Sequence, residues 1–115
     1  MKPYWLSAAA LMFSAEALAH THLASSSPAD GDALPAEAKE IVLSFDGLID
    51  TASCSAADAA NRPVAALGAA KAEREVVRVP LAQTLPPGSY TLSCRYKGKD
   101  GHEMNAALKF TVASK

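Results

Sequence analysis

From Glu40 onward the chain alternates apolar and polar residues in runs of four to eight, separated by Gly, Pro, Asp and Asn. That period of two is the signature of half-buried strands. Ile41, Leu43 and Phe45 fall on one strand face, with Val42 and Ser44 on the other. Ser55–Ala57 and Val64–Leu67 flank a turn-like Asp58–Pro63 segment. Val77, Val79 and Leu81 alternate in a further strand, and Pro86-Pro87-Gly88 then turns the chain into a face made of Tyr90, Leu92, Cys94 and Tyr96. Leu108, Phe110 and Val112 close the series.

Strands at this spacing predict an all-β domain of about seven strands in two sheets, an immunoglobulin-like Greek-key sandwich or barrel. Two segments interrupt the pattern: Ser25–Asp32 reads as an ordered loop, and Lys97–Met104 breaks the last hairpin with charges and glycines. Ala69–Glu73 has the composition of a helical turn but is too short to stand alone. No internal repeat or second domain is evident.

Before Glu40 the pattern changes. Lys2, the apolar run from Trp5 through Phe13 and the small-x-small ending Ala17-Leu18-Ala19 read as an export signal, placing a leader at residues 1–19 and one mature domain at 20–115. The run is shorter than the roughly 20 residues a membrane span needs. The mature protein is therefore expected to be exported, not embedded in the membrane. With 11 basic and 12 acidic residues in all, the formal net charge is -1. Such a balance offers no broad basic face for nucleic acid.

Cleavage after Ala19 makes His20 the first residue, and this gives the sparse histidines their meaning. The chain has three histidines: His20 and His22 at the mature start, and His102 beside Asp100 in the last hairpin. A strand terminus and a hairpin at one end of a sandwich can meet across about eighty residues of sequence. An N-terminal histidine offers its α-amine and its imidazole in one chelate, and Asp100 and His102 add a carboxylate and a second imidazole. Three nitrogens and one oxygen suit Cu(II). Met104 is the one methionine remaining after cleavage, too few for a thioether-rich Cu(I) site.

His22 admits other roles. A free His-Thr-His terminus can wrap Cu(II) through the amine, two ionised backbone amides and the third-residue imidazole, a mode that strand hydrogen bonding of residues 21–24 would oppose. His22 would then be an auxiliary ligand or a group hydrogen-bonded to the site, or a solvated surface residue. Cys54 and Cys94 stand forty residues apart with no C-x-x-C pairing. An oxidising compartment favours a structural disulfide; two buried thiols, or a thiolate pair for Cu(I), are the other readings.

The start His20-Thr-His-Leu-Ala-Ser-Ser-Ser-Pro-Ala-Asp-Gly, the strand Ile41–Phe45 followed by Asp46, the segment Asp58-Ala-Ala-Asn-Arg-Pro-Val, Pro-Pro-Gly-Ser-Tyr, and Asp100-Gly-His102 before Phe110-Thr-Val together resemble the CopC family, which includes the PcoC proteins. The resemblance implies a seven-stranded Greek-key fold that binds Cu(II) through His20, Asp100 and His102. It further implies a periplasmic carrier or buffer in copper resistance, homeostasis or import, working with a CopD-like inner-membrane copper transporter and not acting as an enzyme. Some positions depart from the family pattern. Glu103 and Ala106 stand where proline and glycine are usual, Cys94 where a core tryptophan is frequent, and Cys54 where an aliphatic residue is usual. A methionine-rich Cu(I) loop is missing. A copper-dependent oxidative enzyme with an N-terminal histidine brace and an immunoglobulin-like interaction module are the competing readings.

Overall fold

The structure is a computed structural model and describes residues 21–114. The expected leader, residues 1–19, lies outside the described residues, as do His20 and Lys115. Eight strands form among the described residues: β1 (Leu23–Ser27), β2 (Glu40–Phe45), β3 (Ile49–Asp58), β4 (Pro63–Val64), β5 (Lys71–Glu73), β6 (Val76–Pro80), β7 (Gly88–Gly98) and β8 (Glu103–Val112). They assemble into two four-stranded antiparallel sheets ordered β1-β2-β6-β5 and β4-β3-β7-β8. The fold is the expected β-sandwich, with one strand more than the seven predicted.

The alternating residues face each other across the two sheets. Ile41, Leu43, Val77 and Val79 from one sheet and Leu92, Leu108 and Phe110 from the other are each at most 1% exposed. Burial of each such side chain stabilises by about 1.5–3 kcal/mol, so a small aliphatic core suffices to drive the sheets together. β7 has the clearest pattern, because Tyr90, Leu92, Cys94 and Tyr96 all point inward while Ser93, Arg95 and Lys97 face solvent.

Several boundaries differ from the sequence reading: β3 begins at Ile49, ahead of Ser55, β4 ends at Val64, short of Leu67, and three further differences arise where tertiary pairing overrides weak local preference. Ser25–Ser27 belong to β1, not to a loop, and pair with Ser44, Leu43 and Val42 of β2. Lys71–Glu73, expected as a helical turn, form edge strand β5 against Val76–Arg78. β7 runs on to Gly98 and β8 starts at Glu103, so the interruption shrinks to the four residues 99–102.

Cys54 and Cys94 are direct partners in the β3–β7 register, with Cα atoms 4.0 Å apart, and are joined as a disulfide. No free cysteine exists among the described residues, which removes the thiolate-pair reading. The bridge closes a separation of 40 residues, worth about 4 kcal/mol in the chain-entropy account. The outer edge of β8 is capped over its last turns by the Asp30–Leu34 segment. There Gly31 N–H donates to Lys109 O (2.6 Å), Leu34 N–H to Thr111 O (2.7 Å) and Lys109 N–H to Asp30 Oδ1 (2.8 Å). Covering an edge in this way blunts unwanted strand pairing.

Candidate metal centre

The β7–β8 hairpin turns through Lys99 and Asp100, with Gly101 N–H donating to Gly98 O (3.0 Å). Gly101 has φ +84°, a backbone conformation that glycine adopts without steric cost. This sharp turn folds Asp100 and His102 onto each other. Asp100 Oδ1 accepts the His102 backbone N–H (3.1 Å), and Asp100 Oδ2 lies 3.2 Å from His102 Nδ1. The imidazole is 56% exposed and the carboxylate 21%, so the pair sits at the surface with the carboxylate the more sheltered.

Thr21 is brought to the same corner from the other end of the sequence. Its carbonyl accepts a buried hydrogen bond from Tyr96 Oη (2.7 Å), a contact spanning 75 residues. Its side chain, 8% exposed, is wedged between Gly47 and Gly98. A Cβ at either glycine would come within 2.9 Å of Thr21 Oγ1, so each position has room for hydrogen alone. Asp100 Oδ1 lies 3.3 Å from that same imaginary Cβ of Gly98. One glycine therefore brings the beginning of the described chain and the Asp100 carboxylate to a common point.

His22 is fixed next. Its backbone N–H donates to Asp46 Oδ1 (2.7 Å), its carbonyl accepts from Asp46 N–H (2.9 Å), and its Nδ1 lies 3.9 Å from Asp46 Oδ2. Tyr96, whose ring packs 4.5 Å from that of Phe45, has its hydroxyl pKa raised by burial and, secondarily, by the negative charge of Asp46. The hydroxyl consequently stays a neutral donor to Thr21 throughout the ordinary pH range.

The described residues thus provide two carboxylate–imidazole pairs at one end of the sandwich, Asp100 with His102 and Asp46 with His22. They contain no group of three or more His, Cys, Asp or Glu close enough to hold a metal. His20, the expected first ligand, lies outside the described residues, one peptide link from the anchored Thr21. Met104 is half-buried, packs against the core and stands opposite Tyr96 in the β7–β8 register. Asp46, Tyr96, Gly47 and Gly98 were not singled out from sequence as parts of the site. Tyr96 shares its alternating face with core residues of β7, and neither glycine carries a signal of its own in the sequence.

Residues 23–113 match the CopC domain family model. The match includes Asp100 and His102 and begins after His22. Among solved structures, CopC from Methylosinus trichosporium OB3b aligns with a TM-score of 0.73 and 26% identity, covering 82% of this chain and 94% of that one. PcoC, a methionine-rich copper resistance protein from Escherichia coli, aligns with a TM-score of 0.69 and 26% identity, covering 81% of this chain and 98% of its own. No curated protein sequence matches the chain. No helix among the described residues is long and apolar enough to cross a membrane. With the family model spanning most of its length, the chain belongs to the CopC family.

Proposed function

We propose that residues 1–19 are removed on export and that the mature chain, starting at His20, binds one Cu(II) in the periplasm as a copper carrier or buffer. The ligands are the α-amine and imidazole of His20, the Asp100 carboxylate and the His102 imidazole. The observation that carries this reading is the meeting of Thr21 and Asp100 at Gly98, since it puts the residue that follows His20 against the hairpin.

The donor set fits the ion. Donors about 2 Å from a metal, at neighbouring corners of a square, lie about 3 Å apart. Asp100 Oδ2 and His102 Nδ1 are 3.2 Å apart. Nitrogen and oxygen donors in a plane favour Cu(II), and with both cysteines in a disulfide and Met104 the one methionine after residue 19, the chain cannot build a sulfur-rich site for Cu(I). A carboxylate in the sphere also occupies a position that an oxidative enzyme would keep open for oxygen, which favours binding over catalysis. The likeness to PcoC, a copper resistance protein, supports the copper assignment. Delivery to a CopD-like inner-membrane copper transporter is the physiological role that we infer from the family.

Calorimetric titration of the mature protein, paired with EPR, tests the proposal. One Cu(II) per chain and a nitrogen-rich tetragonal spectrum are expected, with affinity falling as pH drops because protons compete for the amine, imidazoles and carboxylate. Absence of stoichiometric Cu(II) binding would overturn it.

A further inference from the structure

The first three residues of the mature chain contain two different copper chelates, and the structure shows what decides between them. In one, His20 alone contributes from the N-terminus and the hairpin supplies the remaining donors. In the other, Cu(II) is wrapped by the α-amine, the backbone nitrogens of Thr21 and His22, and His22 Nδ1, with each amide hydrogen released to water as its nitrogen bonds the metal. Both give the planar nitrogen-rich field that Cu(II) prefers.

The second chelate needs a particular peptide unit, the one joining Thr21 to His22, to turn its nitrogen toward the metal. In a trans peptide the carbonyl oxygen and the N–H leave opposite edges of one rigid plane. Here both edges are held. Tyr96 Oη donates to the Thr21 carbonyl (2.7 Å), and Asp46 Oδ1 accepts the His22 N–H (2.7 Å). A metal bound at that nitrogen would have to stand where Asp46 Oδ1 stands. The other Asp46 oxygen faces His22 Nδ1 at 3.9 Å, the imidazole atom that the wrapped form also requires. The Asp46 backbone N–H completes the clamp by donating to the His22 carbonyl (2.9 Å).

We propose that Asp46 is a positioning residue that selects the coordination mode: by holding the His22 amide it bars the N-terminal tripeptide wrap and leaves copper to His20 and the hairpin. Asp46 touches no metal in this arrangement and acts through His22. Tyr96 shares the task by holding the opposite edge of the same peptide, and the Thr21 side chain, wedged between Gly47 and Gly98, keeps the segment ahead of β1 from rotating out. The inference rests on the proposed N-terminus at His20, and the test separates the two.

The experiment compares Cu(II) EPR and visible absorption of the mature protein with Asp46→Ala, Asp46→Asn and the double variant Asp46→Ala/His22→Ala, each loaded with one equivalent of Cu(II). Removal of a charge-assisted hydrogen bond shifts the ratio of wrapped to hairpin-bound copper about 10- to 100-fold. In Asp46→Ala the spectrum therefore moves to that of four in-plane nitrogens, with absorption at shorter wavelength. Asp46→Asn keeps an acceptor oxygen for the His22 N–H and stays close to wild type. His22→Ala in the Asp46→Ala background abolishes the four-nitrogen spectrum. An Asp46→Ala spectrum identical to wild type overturns the inference and leaves the proposed function standing, as does a shifted spectrum that survives the loss of His22. Failure of wild type itself to bind copper overturns both.

Discussion

β7 carries two buried tyrosines six residues apart, and they do the same chemistry at opposite ends of the sandwich with different consequences. Tyr90 Oη donates to Pro86 O (2.5 Å), four residues back, and its ring lies 5.5 Å from Phe110. That bond staples a local turn. Tyr96 Oη donates to Thr21 O, 75 residues away, and holds the start of the domain beside the His102 hairpin. Both hydroxyls have raised pKa values, first through burial and then through a nearby carboxylate, Asp58 for Tyr90 and Asp46 for Tyr96. The difference is in what each carbonyl belongs to: at one end a turn that the sequence already favours, at the other a segment with no local reason to be there. A tyrosine bonded within its own turn stabilises that turn, whereas the same group bonded across 75 residues brings two distant segments together.

The largest expected effect treats the two ends alike. Replacing Cys54 and Cys94 by alanine removes the bridge between β3 and β7 and lowers stability by about 2–4 kcal/mol, read by denaturant unfolding. Copper stoichiometry in the folded variant stays at one, and a loss of binding in a protein that still folds would mean that the disulfide shapes the site.

The next effects separate the ends. Asp100→Ala lowers copper affinity at least about 100-fold by analogy with the cost of disturbing groups around a metal, with little change in unfolding. Asp58→Ala at the other end does the reverse. It removes the acceptor of the Ala60 and Arg62 N–H groups and weakens the fold, while a copper titration is unchanged.

Smaller still is the tyrosine pair itself. Tyr96→Phe and Tyr90→Phe each remove one hydrogen bond worth about 0.5–1.5 kcal/mol, so their unfolding midpoints fall by similar amounts. Copper affinity drops in the Tyr96 variant and holds in the Tyr90 variant. Equal copper affinities in both would dissolve the comparison.

The smallest effect is the pH dependence, and its sign differs by group. The pKa of Asp58 is lowered, first by the Arg62 backbone N–H, against an opposing contribution from burial, so its contribution to stability is present above the ordinary value of 3.8 and is lost as pH falls through the lower folded value. Tyr90 and Tyr96 have raised values, so theirs is complete below 10.0 and is lost as pH rises through the higher folded values. Unfolding of copper-free protein across pH checks this. Removing Asp58 should flatten the acid limb and, because its charge helps raise the Tyr90 hydroxyl, also weaken the part of the alkaline limb that Tyr90 contributes, leaving the Tyr96 part in place.

The fold was legible wherever large apolar residues alternate. β2, β6, β7 and β8 follow from Ile41 to Phe45, Val77 to Val79, Tyr90 to Tyr96 and Leu108 to Val112. The first half of β3 was not, because its inward positions Ala52 and Cys54 are small and carry little periodic signal. β1 was partly hidden in a serine run whose strand state depends on pairing with β2. At the candidate centre, the proximity of Asp100 to His102 was legible from their spacing around Gly101. Their neighbours were not, since a tyrosine hydroxyl reaching across 75 residues and two glycines cleared for one threonine side chain leave no local pattern. Such contacts arise from topology, and chemistry-bearing residue types alone do not reveal them.

The most direct test is a competition titration of Cu(II) against two proteins that differ by one residue, the chain beginning at His20 and the same chain with a single glycine placed before it. The added residue leaves every side chain in place and moves the α-amine off the histidine. The account predicts an affinity loss of about 100-fold or more with a changed EPR spectrum. Equal affinity and an unaltered spectrum would contradict it.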